Sequence, residues 1–139
     1  IPGIATGAAY ADGEAIGTLI QFPNVFRPNK FSGLLHTAIY FDLDDEGLQV
    51  DLHLFSREVT SGTDNAAYAP TDAVVRAYLG TVSFSSFYNL GANQVSVVSN
   101  AGIALVSEST SVFAQAVARG ALNIAADNVP EMAIIVLPD

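Results

Sequence analysis

Residues 48–55 read LQVDLHLF and carry the clearest strand signal in the chain. Val50, Leu52 and Leu54 alternate with Asp51 and His53. In an extended backbone, successive side chains point to opposite faces, so the apolar residues share one face and the polar residues share the other. This period of two predicts a half-buried β-strand.

The preceding segment, residues 31–41, predicts a second strand. Its odd-numbered positions from Leu35 to Phe41 share one face, while His36, Ala38 and Tyr40 share the other. The acidic turn sequence DDEG at residues 44–47 separates the two predicted strands. We therefore expect the two strands and their turn to form a β-hairpin.

The rest of the chain alternates short apolar runs with turn residues, among them 11 Gly and 6 Pro. Residues 71–79 predict a short helix, capped by Thr71 or Asp72 and ended by Gly80. Residues 110–119 are rich in Ala and suit a helix by composition, but Gly120 and the strand-rich surroundings favour a strand. The remaining predicted strands are residues 15–22, 81–87, 94–99, 102–107 and 131–137, the last of them a buried strand.

Short strands that recur about every 8–12 residues are typical of an all-β fold. We expect an antiparallel β-sandwich, jelly-roll-like, with one short helix. The length of 139 residues suits a single domain spanning residues 1–139. Residues 1–11 are small and nearly uncharged, and they predict an extended N-terminal arm.

The charge balance limits the possible partners. The chain has 5 Lys+Arg and 14 Asp+Glu, a formal net charge of −9, so we expect no nucleic-acid binding. Only 14% of residues are charged, against roughly 25% in an average domain. Because interface cores are poor in charge, this scarcity indicates a surface that packs against other subunits. Arg76 and Arg119 are isolated cations that we expect to pair with carboxylates.

Other compositional features argue against a disordered chain, a membrane-spanning protein and a disulfide-bonded or thiolate-metal protein. Hydrophobic residues make up 50% of the chain, which argues against disorder. No apolar run approaches the ~20 residues of a membrane-spanning helix, so we expect no membrane association. The chain has no Cys, which leaves neither disulfides nor thiolate metal ligands.

The segment DLDDEG at residues 42–47 resembles the start of a calcium-binding loop, with oxygen ligands at its first, third and fifth positions. Such a loop needs a bidentate carboxylate at position 12, where this chain has His53. A structural turn is therefore the favoured interpretation, and a cation site is the alternative.

His36 and His53 could share a face of the predicted hairpin, with Asp51 nearby. A histidine beside a carboxylate suits a metal site or a general base, but no third ligand has suitable spacing. The chain also lacks the G-x-S-x-G, H-E-x-x-H, Walker and G-x-G-x-x-G motifs. We expect no enzymatic activity, no cofactor and no resident metal.

Aromatic residues surround the loop at residues 23–30, where core packing is the favoured role and a docking surface is the alternative. These aromatic residues are Phe22, Phe26, Phe31 and Tyr40. The predicted assembly interface consists of Ile1, Ile4, Tyr10, Phe26, Arg27 and Phe31.

Five segments together resemble a family of small virion proteins of tailed bacteriophages. They are YADGEAIG at residues 10–17, SGLL at 32–35, DLHLF at 51–55, TDNAAYA at 63–69 and AVARGA at 116–121. The segments cover most of the chain in order, with Glu14 in place of the family's usual Asp.

The resemblance implies a virion structural protein on the capsid exterior, of the head decoration (cement) type. Such proteins bind the outer shell, often as trimers, and stabilise it. The implied partners are the major capsid protein and further copies of this chain. One alternative is a tail or head-fibre module that recognises a host-surface glycan, and another is a small β-fold hydrolase that uses one of the histidines.

Overall fold

The computed structural model describes residues 8–139, whose strands form antiparallel sheets in an all-β sandwich. Two sheets have four strands each, and we name them by a central strand. The β4 sheet has the order β2-β8-β4-β5, and the β3 sheet has the order β10-β3-β7-β6; β1 and β9 form a separate pair. The elements are β1 Ala9–Tyr10, β2 Ala15–Phe22, β3 Ser32–Asp42, β4 Val50–Phe55, α1 Asp72–Val75, β5 Tyr78–Phe84, β6 Tyr88–Asn89, β7 Gln94–Val106, β8 Val112–Ala118, β9 Leu122–Asn123 and β10 Glu131–Pro138.

The core lies between the two four-stranded sheets. Val50, Leu52 and Leu54 of β4 are fully buried in it, which confirms the strand predicted from their alternation. Strand β8 turns its alternate residues from Val112 to Ala118 into the same core. Here β2 and β4 both pair with β8, and these tertiary contacts override the helix propensity of its alanines.

The predicted hairpin of β3 and β4 is wrong. Strand β3 lies between β10 and β7, whereas β4 lies between β5 and β8 in the opposite sheet. The acidic segment after β3 therefore carries the chain from one sheet to the other. A short polar turn between two strands suits either arrangement, and here each strand has both of its edges paired with other strands.

The predicted faces of β3 hold beyond residue 36 but do not include Leu35. Leu35 was predicted to share a face with Ile39, but Leu35 faces the core together with Ala38 and Tyr40, while Ile39 faces outward. The register explains the reversal: β10 pairs Val136 with Leu35 and Ile135 with Thr37, so His36 is an extra residue on β3. Such a β-bulge inverts the alternation beyond it, and the hydrophobic pattern alone did not reveal it.

Strand β7 has a matching irregularity. Leu35 pairs with Ile103 and Thr37 with Ser99, which leaves three residues of β7 without partners on β3. Asn100 and Gly102 adopt positive φ angles of 54° and 66° in that segment. The two strands predicted at residues 94–99 and 102–107 are therefore one strand with a local distortion.

The predicted helix is shorter than expected, and Gly80 does not end it. Helix α1 covers only Asp72–Val75, and Gly80 lies inside β5. A Cβ atom at position 80 would lie 3.0 Å from Ile103 Cγ2. This glycine therefore allows close approach between β5 and β7.

The last strand is present but is not buried. Within the described part of the chain, β10 pairs only with β3 and forms an edge of its sheet. Met132 is its one fully buried side chain, and Ile135 and Leu137 are about half exposed. An apolar, β-branched run suits either a buried strand or an edge strand, and only the pairing distinguishes them.

Candidate functional site

The predicted interface residues do not come together on one surface of residues 8–139. Tyr10 and Phe26 are buried in the core, and the Tyr10 hydroxyl donates to Asp64 Oδ1 at 2.9 Å. Arg27 is exposed and Phe31 is partly exposed. Ile1 and Ile4 lie outside the described residues. Tyr10 and Phe26 are therefore assigned to core packing, while an interface that uses the other residues stays a prediction.

The two histidines do not share a face, because His36 lies on β3 and His53 lies on β4 in the opposite sheet. His36 Nδ1 is 2.8 Å from the hydroxyl of its neighbour Thr37. Residues 8–139 contain no cluster of three or more His, Cys, Asp or Glu side chains placed to hold a metal ion. The possible site that joins His36 and His53 is therefore excluded.

The acidic turn uses its carboxylates to accept backbone hydrogen bonds. Asp42 is buried and accepts from the backbone N–H of Gly47 at 2.7 Å and from that of Asp44 at 3.3 Å. Asp44 in turn accepts from the N–H of Ala125 at 2.7 Å. These contacts favour the structural interpretation of the turn.

An open cleft that no sequence pattern indicated lies on the outer side of the β4 sheet. Its volume is about 290 Å³, and it is lined by His53, Phe55, Tyr68, Pro70, Val75, Tyr78 and Thr81. The segment between β4 and β5 supplies Tyr68 and Pro70, and α1 supplies Val75. The polar face of β4 was the only sequence feature that pointed to this cleft. A loop that folds back over a sheet has no periodic sequence pattern, so the position of Tyr68 and Pro70 could not be predicted.

Ring contacts fix the aromatic walls of the cleft. The rings of Tyr68 and His53 stack with centroids 5.7 Å apart and an interplanar angle of 15°. The Tyr78 ring lies 6.3 Å from that of His53 and packs edge-on against Phe55 at 6.5 Å. Because neighbouring rings support each wall, the cleft is preformed.

A short chain of polar atoms crosses the cleft. His53 Nδ1 lies 2.7 Å from Thr81 Oγ1, and the Tyr78 hydroxyl lies 2.7 Å from the same oxygen. Burial lowers the pKa of His53, and the positive charge of Arg119 acts in the same direction, while Asp51 opposes them. The histidine is therefore neutral at pH 7, with one ring nitrogen protonated.

Beside the cleft, the Asp51 carboxylate accepts hydrogen bonds from three side chains in or next to the strands of the β4 sheet. Its Oδ1 accepts from the Ser83 hydroxyl at 2.7 Å and from Gln49 Nε2 at 3.3 Å. Its Oδ2 pairs with Arg119 Nε at 2.7 Å, which confirms the expected carboxylate partner of Arg119. Among residues 8–139, no such partner is found for Arg76. Because all these donors are in place, Asp51 is a structural carboxylate.

The outer face of the β3 sheet is apolar and forms a second candidate site, which we call the β3 outer face. Nine large hydrophobic side chains are exposed among the described residues, and seven of them lie in or beside this sheet. Cross-strand rows order the face, for example Ala133–Ile39–Val97. The seven side chains are Leu34, Tyr88, Leu90, Val97, Val106, Ile135 and Leu137.

Charge is almost absent from this sheet. The only Asp, Glu, Lys or Arg residues in its four strands are Asp42, which is buried, and Glu131 at the start of β10. Among residues 8–139, the outer backbone edge of β10 also has no partner strand. An exposed apolar face with an open edge is typical of a surface that binds another protein.

No protein family, no characterised protein and no solved structure matches this chain. Nor does any helix among residues 8–139 reach the length and hydrophobicity of a membrane span.

Proposed function

We propose that the chain is a structural protein of a tailed-bacteriophage virion, a head decoration (cement) protein that binds the outer capsid shell and stabilises it. The observation that carries this proposal is the β3 outer face, which is exposed, apolar and nearly free of charge. The five sequence segments that resemble small virion proteins support the same role. The proposal includes a jelly-roll order of connections for the sandwich.

The chemistry of the β3 outer face suits permanent contact with protein. Exposing apolar area to water is unfavourable by about 25 cal/mol per Å², so covering this face would favour association. Interface cores are poor in charged residues, as this sheet is. A capsid presents the same binding site many times, so modest contacts repeated over an oligomer give strong attachment by avidity.

The proposed partners are the major capsid protein and further copies of this chain, and the proposed location is the capsid exterior. The net charge of −9 agrees with that position, because a negative protein does not adhere to free or packaged DNA. The role is one of binding and needs no catalytic residue.

Head attachment of two matched variants tests the proposal. Val106→Glu places a carboxylate on the β3 outer face, where the side chain is 62% exposed. Val75→Glu makes the same change at a valine that is 55% exposed on α1, away from this sheet. Purified variants are added to phage heads that lack the protein, and the bound copies are counted after sedimentation. We expect Val106→Glu to lower occupancy about tenfold or more, with Val75→Glu unchanged, since burying an unpaired charge costs well over 1.4 kcal/mol.

A reconstruction of the parent particle provides an independent test. The proposal requires many copies arranged over the head. Density confined to the tail, or equal occupancy by the two glutamate variants, would contradict it.

A further inference from the structure

The cleft on the β4 sheet has a second property that packing does not explain. Neutral His53, Thr81 and Tyr78 each contribute one hydrogen-bond donor, which makes three donors in all. The chain of polar atoms contains two hydrogen bonds, so it uses two of them. Whichever way the hydrogens point, one N–H or O–H donor remains for a ligand.

The same chain also leaves acceptors free. Three arrangements of the hydrogens are possible, in which the unused donor is the Tyr78 hydroxyl, the Thr81 hydroxyl or His53 Nε2–H. His53 Nε2 is an acceptor in the first two arrangements, and the Tyr78 oxygen is an unused acceptor in the last two. The structure gives His53 Nε2 no partner among residues 8–139. A hydroxyl group both donates and accepts, so a ligand hydroxyl can pair with the unused donor or acceptor in each of the three arrangements.

The remaining lining excludes charged ligands. No Asp, Glu, Lys or Arg is among the residues that line the cleft. A charged group in this cleft would lose part of its water without gaining an oppositely charged partner, which is unfavourable. The ligand must therefore be neutral.

The walls and the volume of the cleft limit the shape of the ligand. Tyr68 and Tyr78 present flat rings, while Pro70 and Val75 add apolar surface. The volume of about 290 Å³ lies just below the roughly 300–1,000 Å³ of typical ligand pockets, which suits a single ring rather than an extended molecule. A pyranose has this character, because its C–H face is apolar and its rim carries hydroxyls.

We propose that this cleft binds a neutral hexopyranose ring, which stacks on the tyrosine walls and bonds one hydroxyl to the His53–Thr81–Tyr78 chain. The site lies on the sheet opposite the β3 outer face, so this inference does not rest on the proposed decoration role. Charged sugars such as sialic acid are excluded by the lining.

Saturation-transfer NMR on the purified protein tests the proposal with named probes. The neutral probes are methyl glucopyranoside, methyl galactopyranoside and methyl mannopyranoside. The comparison probes are the charged methyl glycoside of sialic acid and p-cresol, which mimics a tyrosine side chain of a partner protein. We expect transfer to at least one neutral pyranoside, none to the sialoside, and pyranoside-dependent shifts of the Tyr68 and Tyr78 ring protons.

Two tyrosine variants supply the matched control. Tyr78 is 48% exposed in the cleft, and Tyr88 is 66% exposed on the β3 sheet. We expect Tyr78→Ala to weaken pyranoside binding about tenfold, the effect of removing a central aromatic contact, and Tyr88→Ala to leave it unchanged. The ring-proton shifts of the unmodified protein give the same answer even if Tyr78→Ala unfolds.

Three results would overturn the proposal. One is the absence of transfer to every neutral pyranoside. A second is binding of p-cresol alone, which would make the cleft a socket for a protein side chain. The third is pyranoside binding that Tyr88→Ala removes and Tyr78→Ala does not.

Discussion

Replacing Asp51 with Asn changes one atom of a carboxylate that binds three neighbours. Asp51 is only 8% exposed, and it accepts from Ser83 and Gln49 on one oxygen and from Arg119 on the other. In Asp51→Asn, one of these oxygens becomes an amide nitrogen that faces a donor. The variant therefore loses a charge-assisted hydrogen bond and its ion pair while keeping the shape of the side chain.

The size of the effect follows from the environment of the pair. A hydrogen bond to a charged group contributes about 1.5–3 kcal/mol. The Arg119 side chain is 37% exposed, so solvent screens the ion pair and places the loss near the lower end. We expect Asp51→Asn to lower the free energy of unfolding by about 1.5–2 kcal/mol at pH 7.

The pH dependence gives the prediction its sign. Burial acts to raise the pKa of Asp51, but hydrogen bonds from Ser83, Arg119 and Gln49 outweigh it and hold the pKa below its usual value. A carboxyl whose pKa is lowered by folding stabilises the protein above its unfolded pKa of about 3.9. That contribution is lost as the pH falls from there through the folded pKa, so the difference between the two proteins shrinks.

Urea denaturation at pH 7, 5, 4 and 3 measures this difference. Asp127→Asn is the control, because it removes the same charge at an exposed position with no hydrogen-bond partner among residues 8–139. The control is expected to stay within about 0.5 kcal/mol of the unmodified protein. A difference for Asp51→Asn that is absent at pH 7, or that grows as the pH falls, would refute the reasoning.

Three further predictions follow from the packing. Leu52 is fully buried, so Leu52→Ala should lower the free energy of unfolding by about 2–5 kcal/mol in urea denaturation. Leu137→Ala on the β3 outer face should change it by less than about 1 kcal/mol. Equal losses in the two variants would contradict the assigned core. Gly33→Ala should speed hydrogen exchange along β10, because its Cβ would lie 2.7 Å from the Leu137 backbone oxygen, and unchanged exchange would show that the strand adapts. Burial lowers the pKa of His53, so its ring should titrate with a midpoint below pH 6.5 in an NMR titration. Protonation of His53 should therefore destabilise the fold as the pH falls below 6.5. A midpoint above 6.5 would contradict this prediction.

The strands were predictable from sequence wherever the pattern was local. Strand β4 shows its alternation directly, and β2 has the predicted limits of Ala15–Phe22. Pairing was not predictable in the same way, because a turn does not indicate whether the next strand joins the same sheet. Within β3, the extra residue His36 places Ala38 and Tyr40 on the same face as Leu35, whereas the sequence pattern predicted opposite faces.

The candidate sites depend on contacts between distant residues. The cleft joins His53 on β4, Tyr68 on the following segment and Tyr78 on β5, and no spacing rule relates these positions. The β3 outer face likewise requires the pairing of β3 with β7 and β10. Composition did indicate a surface with little charge, but only the pairing assigns that surface to one sheet.

The opposite placement of the two sites has a consequence for orientation on a particle. The outer faces of a sandwich point away from each other, so the β3 outer face and the cleft cannot contact the same flat surface. If the β3 outer face binds the capsid shell as proposed, the cleft points outward to solvent. The shell would then leave Tyr78 accessible, and a pyranoside should bind assembled heads as well as it binds the free protein. If attachment to heads instead blocked pyranoside binding, the β4 sheet would be the face that meets the shell.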